Sequence, residues 1–313
     1  MNGSRTVTSA AARGWLKSGW FKSGLRREES VVGLVFVLPS VALFLVFGLY
    51  PFVRTVMLSF SEWNGISPEI KWVGLANYVS IFNDPIWWLS VVNGLFFAVT
   101  ALAFMNGLAL VLAVVVNQLR RGQQIYQLIY YLPSILSGIV VAIIWKWLYQ
   151  PLGGPLNQML AFLGGQPQAW LADSRTAAWA VAVASMWAGI GNPFLLFLAG
   201  LQGIPKDVIE AARIDGASEV RVFQHIILPL LIPVIVLVSV LTFLGAMQIF
   251  NLIVAMTNGG PGYTTEVPVL RIYREAFRSL HFGYAAALSI VFGVMLLLMS
   301  ALQFKLSRMF DNR

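Results

Sequence analysis

Long apolar stretches separated by short polar segments dominate the sequence. A spanning α-helix needs about 20 mostly apolar residues to cross the hydrocarbon core of a bilayer. Six uncharged runs reach that length, so the pattern predicts an all-α polytopic membrane protein with six transmembrane helices. The predicted spans are residues 31–53, 85–119, 122–145, 176–205, 226–265 and 282–304.

Two uncharged segments are interrupted by turn-forming residues. Residues 147–172 contain repeated Pro and Gly, which leaves no apolar run long enough to cross, and they are interpreted as an extramembrane loop. The fifth run is longer than a bilayer requires, and it ends in Asn258-Gly259-Gly260-Pro261-Gly262. Because such residues favour turns, the fifth helix is predicted to end near Met256.

Composition agrees with a membrane protein and argues against several kinds of chemistry. Hydrophobic residues make up 58% of the chain and charged residues only 11%, too few to cover a soluble globule of 313 residues. The net charge of +8 comes from cations that flank the spans, where anionic lipid headgroups explain them better than nucleic acid does. There is no cysteine, so disulfides and thiolate metal sites are excluded.

The predicted spans contain none of the 13 Asp and Glu residues, which argues against a proton relay. The sequence shows no nucleophile with a neighbouring base, no carboxylate pair at reacting distance and no phosphate-binding Gly-Lys-Ser/Thr loop. We therefore expect no catalytic, cofactor-binding or metal site in this chain, and any energy for its work has to come from another protein.

The basic residues predict the topology. Six spans place both termini on one side, and fourteen of the 21 Lys and Arg residues lie on that side, which the positive-inside rule makes cytoplasmic. The expected organisation is a basic cytoplasmic tail over residues 1–30, a transmembrane domain over residues 31–308 and a short tail over residues 309–313. The first thirty residues lack the apolar core of a cleaved signal peptide, so the tail is expected to be retained.

The cytoplasmic loop over residues 203–228 has the most informative polar sequence. A helix over residues 206–214, a turn at Asp215-Gly216 and a second helix from Ala217 toward Ile227 are predicted. On the first helix Glu210 and Ile214 share a face, and the small side chains beside them would let a partner's groove close over it. The alternative is that Glu210 only pairs with Lys206 or Arg213 on an exposed helix, which is worth about 0.3–0.5 kcal/mol.

This loop resembles the signature loop of the integral-membrane subunits of binding-protein-dependent ABC importers. The matching residues, between the fourth and fifth spans, are Glu210-Ala211-Ala212, Asp215-Gly216-Ala217, Phe223, Leu228-Pro229 and Pro233. Other motifs resemble carbohydrate permeases of the maltose and glycerol-3-phosphate kind, and together they cover residues 31–308. They are Phe60, Trp63-Asn64-Gly65, residues 73–78, Leu132-Pro133-Ser134, Gly203-Ile204-Pro205, residues 257–261 and residues 282–285.

The resemblance implies the type I importer permease fold in a bacterial or archaeal cytoplasmic membrane. It also implies a complex with a second permease subunit, two ATPase subunits that bind ATP and Mg²⁺, and an external solute-binding protein. The loop would dock in a cleft of an ATPase and transmit its closure. The implied coupling residues are Glu210, Ala211, Ala212, Asp215, Gly216 and Ala217.

The same resemblance implies a substrate path for a sugar or oligosaccharide. The positions that match the sugar contacts of the maltose permease are Ser134, Gly138, Ser185, Gly189, Asn192, Thr242, Gly245 and Ala246, with Gln248 as a neighbouring candidate. For Ser134, Ser185 and Gly189 the alternative is close helix packing by small residues. Several of these positions carry bulkier groups in the maltose permease, which leaves open whether the partner permease holds the main substrate site.

Other functions remain possible at this stage. The substrate of such an importer could be glycerol-3-phosphate or a polyol instead of a sugar. Outside the importer class, a membrane-embedded enzyme acting on a lipid-linked substrate would require a reactive cluster, and a passive pore would not require a partner-shaped loop. Finally, Arg271, Arg274 and Arg278 recur at helical spacing, and we interpret them as the polar face of an external helix that touches the binding protein.

Overall fold

The computed structural model describes the backbone of residues 25–119 and 121–311 and the side chains of residues 35–119 and 121–305. The described chain divides into two units, one up to residue 57 and one from residue 58 onward. Most of the basic tail expected over residues 1–30 lies outside the described residues.

The first span is a long helix that starts earlier and ends later than the sequence predicted. It consists of α1 (Leu25–Phe44), one π-helical turn (Leu45–Leu49) and α2 (Tyr50–Ser59). Every side chain from residue 35 to residue 54 is exposed. An apolar helix with no buried face is compatible with lipid or with an apolar partner surface, not with water.

The second span follows a short polar connection. Strands β1 (Ser61–Glu62) and β2 (Lys71–Trp72) pair in antiparallel fashion, and helix α3 (Ala76–Phe82) follows them. Asp84 then caps helix α4 by accepting hydrogen bonds from the N–H groups of Ile86 and Trp87, and Pro85 occupies the first helical position. This cap satisfies N–H groups that the helix cannot satisfy itself. The span comprises α4 (Pro85–Thr100), a π-helical turn (Ala101–Met105) and α5 (Asn106–Asn117).

The third and fourth predicted spans are each broken into two helices. Helices α6 (Gln123–Ile135) and α7 (Gly138–Leu148) meet at an angle of 95°, because Leu136 and Ser137 are extended. The predicted loop that follows contains one short helix, α8 (Pro155–Phe162). Helices α9 (Ala177–Gly189) and α10 (Gly191–Gln202) meet at 45°, close to Pro193, whose ring is incompatible with an undisturbed helix.

The fifth predicted span ends earlier than residue 256. Helix α11 (Lys206–Ile214) is followed by α12 (Glu219–Val222), a π-helical turn (Phe223–Ile227) and α13 (Leu228–Met247), and these last three form one continuous helix. The predicted second helix of the loop is therefore the first part of the span. Residues 248–250 interrupt the helix, and α14 (Asn251–Met256) is a separate element. Residues 248–250 include no Pro or Gly, so these residue types do not predict the break.

The last part contains α15 (Pro268–Phe277) and α16 (Phe282–Asp311). Because α16 extends to Asp311, most of the short tail expected over residues 309–313 is helical. Within the described residues, four continuous helices are long and apolar enough to cross a membrane, and six spans result if each bent pair counts as one.

Three clusters of buried apolar side chains hold the unit from residue 58 onward together. The first joins α7, α9, α14 and α15, the second joins α5, α10 and α13, and the third joins α4, α13 and α16. Small residues such as Ala109, Ala113 and Ala184 are fully buried at these contacts. In lipid, close approach of helices through small residues supplies much of the packing energy. Helix α13 contributes to the second and third clusters, and α4 contributes Phe97 to the first and further residues to the third, so these two helices connect the clusters.

Candidate functional site

The turn between α11 and α12 is a compact, well-defined structure. Gly216 has φ +81°, and the N–H groups of Gly216 and Ala217 donate to the carbonyl groups of Arg213 and Ala212 at 3.1 and 3.0 Å. This is a Schellman motif, in which a glycine in the left-handed conformation ends a helix and satisfies its last carbonyl groups. A Cβ atom on Gly216 would contact nothing, so its backbone conformation and not its surroundings favours glycine.

A bidentate ion pair closes the same turn. The guanidinium of Arg213 donates to both carboxylate oxygens of Glu219, with Nε–Oε1 at 2.8 Å and Nη2–Oε2 at 3.0 Å. The pair ties the end of α11 to the start of α12, and hence to the fifth span.

The outer face of α11 contacts no other element among the described residues. Glu210, Ala211 and Ile214 are exposed, Ile214 at 86%, whereas Ala212 is buried. Within residues 35–119 and 121–305, no hydrogen bond or ion pair engages the Glu210 side chain. Lys206 does not pair with it and Arg213 pairs with Glu219, so the alternative of a simple surface ion pair for Glu210 is not found. Asp215 and Ala217 complete the turn.

A cavity of about 610 Å³ lies between α9, α10, α13 and the π-helical turn that precedes α5. Six of the residues predicted for the substrate path line it together, although they come from three helices. They are Ser185, Gly189, Asn192, Thr242, Gly245 and Ala246. A Cβ atom on Gly245 would meet no neighbour, so this glycine faces open space.

The cavity wall contributed by this chain is mostly apolar, with a few polar side chains. The Asn192 amide and the Thr242 hydroxyl lie on it together with Tyr131, and no charged residue lines it. Hydroxyl, amide and aromatic groups are those that orient a polyhydroxylated ligand. A phosphate group would find no cation on this wall.

The other three predicted residues lie outside this wall. Ser134 bridges the break between α9 and α10, because its Oγ donates to the carbonyl of Ala188 at 2.7 Å and accepts from the N–H of Gly191 at 3.1 Å. Gly138 allows α7 to approach α14, since a Cβ atom there would lie 3.2 Å from the Cβ of Asn251. Gln248 is exposed directly after the end of α13. Ser134 therefore fits the alternative of close helix packing given for it above. Gly138 also serves close packing between two helices.

Comparison with known protein families identifies the class. Residues 105–312 match the family model described as "Binding-protein-dependent transport system inner membrane component". The chain belongs to this family. The permease is thus a non-catalytic, membrane-spanning component of an ABC importer, and the matched region contains both the α11–α12 turn and most of the cavity wall.

Individual relatives cover nearly the whole permease. It is 33% identical to the lactose transport system permease protein LacF of Rhizobium radiobacter, over 92% of this chain and 97% of that protein. It is 34% identical to the sn-glycerol-3-phosphate transport system permease protein UgpA of Yersinia pestis, over 86% of this chain and 91% of that protein. A chain in the crystal structure of a bacterial alginate ABC transporter, in complex with an alginate-bound periplasmic protein, shares the fold, with a TM-score of 0.80, 21% identity and coverage of 91% and 96%.

The permease also has a buried ionic cluster that joins α4, α15 and α16. Oδ2 of Asp84 accepts from Nη2 of Arg271 at 2.9 Å and from the Tyr284 hydroxyl at 3.0 Å, and Nη1 of Arg271 contacts Glu275 at 2.9 Å. Burial raises the pKa of Asp84, but hydrogen bonds from the Trp87 N–H, Arg271 and Tyr284 outweigh it and hold the pKa below the ordinary value of 3.8.

A second buried pair forms beneath the glycine-rich segment. Glu266 is fully buried, and its Oε2 lies 2.9 Å from Nη1 of Arg274. Burial raises the pKa of Glu266 in spite of the nearby arginines. The interpretation of Arg271 and Arg274 as an exposed polar face was therefore wrong, because their side chains are only 16% and 19% exposed. Arg278 alone of the three is exposed.

One polar residue beside the cavity was not singled out from the sequence. Asn106 is 7% exposed, and its Oδ1 accepts from the Thr242 hydroxyl at 2.9 Å. The sequence does indicate Asn106 in one way: its amide lies within an apolar run, and a buried polar group in a span requires a partner. The partner itself is 136 residues away and cannot be read from the sequence. The described residues contain no cluster of His, Cys, Asp and Glu that could hold a metal ion.

Proposed function

We propose that this permease forms half of the translocation path for a neutral sugar or oligosaccharide. In this proposal it has six spans with both termini in the cytoplasm, and it assembles with a second permease subunit and two ATPase subunits. An external binding protein delivers the substrate, and ATP and Mg²⁺ bind only to the ATPases. The domain organisation is a basic tail, a transmembrane domain and a cytoplasmic α11–α12 turn.

The observation that carries the coupling role is the unpartnered outer face of α11. Glu210 and Ile214 are exposed on a short helix whose end is fixed by the Schellman motif and by the Arg213–Glu219 pair. A solvated loop has no need of an 86% exposed isoleucine or of a rigid turn. A cleft that accepts the helix would bury Ile214 and give Glu210 a partner. Closure of that cleft would then pull on the fifth span, with which α12 is continuous.

The preference for a neutral substrate rests on the cavity. Its wall offers hydroxyl and amide groups but no cation, whereas arginine and lysine are the side chains that typically bind a phosphate ester. The name of LacF supports a sugar, and that of UgpA supports glycerol-3-phosphate as the second candidate. Uptake of lactose and of sn-glycerol-3-phosphate by the reconstituted complex distinguishes them. Uptake of the phosphate ester alone would refute the neutral-substrate proposal.

The coupling role is tested with Glu210→Lys in the complex assembled with its ATPases. We expect normal copurification of all subunits and a loss of at least tenfold in ATP hydrolysis stimulated by the loaded binding protein. Glu69→Lys is the matched control, because it makes the same charge change at an exposed position on another segment. Unchanged stimulation in Glu210→Lys, or an equal loss in the control, would contradict the proposal.

A further inference from the structure

The Thr242–Asn106 hydrogen bond joins the side chains of two different helices. A Ser or Thr within a helix commonly donates to the carbonyl four residues earlier. Thr100 and Ser289 do so, with oxygen–oxygen distances of 2.8 Å to Phe96 and Ala285. The Thr242 hydroxyl instead crosses from α13 to α5 and donates to Oδ1 of Asn106. The direction of its proton is therefore set by another helix.

The location of this pair connects it to the cavity. Thr242 is part of the cavity wall, and Asn106 stands behind it as the first residue of α5, directly after the π-helical turn. Ala101 and Met105 of that turn line the same cavity. Turns of this kind inside α-helices occur frequently at functional sites.

Asn106 uses only one end of its amide. Its Nδ2 is buried and has no hydrogen-bond partner within the described part of the chain. Asn157 offers a comparison, since it is also buried and holds a loop together by using both ends: Nδ2 donates to the Gln168 carbonyl and Oδ1 accepts from Trp170. Among the described residues, the Asn106 side chain therefore makes a single hydrogen bond, the one to the Thr242 hydroxyl. What Asn106 does accomplish is to engage the proton of Thr242.

We propose that Asn106 is a positioning residue that fixes the hydrogen-bonding polarity of Thr242. With the hydroxyl proton held by Asn106, only the lone pairs of the Thr242 oxygen remain for a ligand, so Thr242 accepts a hydrogen bond from a substrate hydroxyl. The chemical class that this wall selects is a polyhydroxylated compound that presents a donor at this point. The inference rests on the proposed function, because it assumes that the sugar passes through this cavity.

A double-mutant cycle in the complete complex tests the inference. The complex is reconstituted in vesicles with its ATPases, partner permease and binding protein, and the KM and maximal rate of uptake are measured with lactose and maltose as probes. Thr242→Val and Asn106→Leu each raise KM about three- to tenfold, as expected for one hydrogen bond. The double variant raises KM no more than Thr242→Val alone, since Asn106 acts through Thr242. Thr242→Ser keeps KM within twofold of the wild type.

Further measurements separate this role from a structural one. Asn106→Ala removes the same acceptor without adding volume and is expected to reproduce Asn106→Leu. If the KM effects of the two sites multiply, or if only the maximal rate or the amount of complex falls, the positioning role is refuted. If the wild type transports the sugar and every variant has the wild-type KM, the positioning role of Asn106 is refuted. The proposed sugar function is not affected by that result. No uptake of either sugar by the wild type refutes the proposed sugar function, and the inference with it.

Discussion

Asp84 offers the sharpest test of how the spans are held together, because one carboxylate performs two tasks. Its Oδ1 caps α4 through the N–H groups of Ile86 and Trp87, and its Oδ2 binds Arg271 and Tyr284. Loss of an N-cap costs about 1 kcal/mol. Loss of one partner of a buried ion pair costs about 3–5 kcal/mol when the other charge is left unpaired.

For Asp84→Ala we expect a total loss of about 3 kcal/mol. The full cost of breaking a buried ion pair does not apply, because Arg271 still contacts the carboxylate of Glu275 at 2.9 Å. Asp84→Ser retains a capping oxygen but not the ion pair, so it should recover about 1 kcal/mol. The matched control is Glu62→Ala, which breaks the exposed pair with Lys71, where both side chains are more than two-thirds exposed and at most about 1 kcal/mol is expected.

The assay is thermal inactivation of the detergent-purified complex at a fixed heating rate, since membrane complexes of this size rarely unfold reversibly. In a chain of this length, each kcal/mol lost from the free energy of unfolding lowers the midpoint temperature by roughly 2 °C. Asp84→Ala should therefore lower the midpoint by about 6 °C and Glu62→Ala by no more than about 2 °C. Because the pKa of Asp84 is lowered, its contribution is present above the ordinary value of 3.8 and is lost as the pH falls through the folded-state pKa.

The difference between wild type and Asp84→Ser should therefore be the same at pH 6 and pH 8, and it should shrink only below about pH 4. Equal midpoint shifts for Asp84→Ala and Glu62→Ala would refute the reasoning, because burial of the pair would then have no energetic consequence.

Two further predictions compare matched positions. Gly259→Ala should abolish accumulation of the permease, whereas Gly262→Ala should cost only about 1 kcal/mol: both have positive φ, but only the new Cβ at Gly259 would overlap the buried carboxylate of Glu266. Membrane-fraction immunoblots measure this, and equal levels would contradict it. Asn192→Leu should reduce lactose uptake at least fivefold with normal assembly, and Gln248→Leu should leave it unchanged, because only Asn192 lines the cavity. Similar uptake in the two variants would show that the cavity is not the path.

Much of the architecture follows from local sequence. Run length alone locates the four continuous spans, because a bilayer imposes a minimum number of apolar residues. The end of α11 is readable from Asp215-Gly216, since the left-handed position that ends a helix favours glycine. The grouping of Asn192 with Thr242 in one wall agrees with positions matched through the family resemblance, and it did not require knowledge of the helix packing.

The remaining features depend on contacts between distant segments. The 95° bend at Leu136 and Ser137 lies between Pro133 in the last turn of α6 and Gly138 at the start of α7, but these two residues do not by themselves predict its angle. Asp84 and Arg271 are 187 residues apart, so the sequence does not show that they pair. Arg271 was for this reason interpreted as exposed, whereas it is one partner of a buried ion pair. Helical spacing alone cannot distinguish an exposed charged face from one that is neutralised by another helix.

The continuity of α12, the π-helical turn and α13 has a mechanical consequence. About 35 Å of helix separates Glu219 from Thr242, at 1.5 Å per residue. A rod of that length acts as a lever: a tilt of about 5° at one end displaces the other by about 3 Å, more than the width of a hydroxyl group. If the α11–α12 turn couples to an ATPase as proposed, a small displacement of Glu219 would thus move Thr242 at the cavity wall without any intermediate linkage.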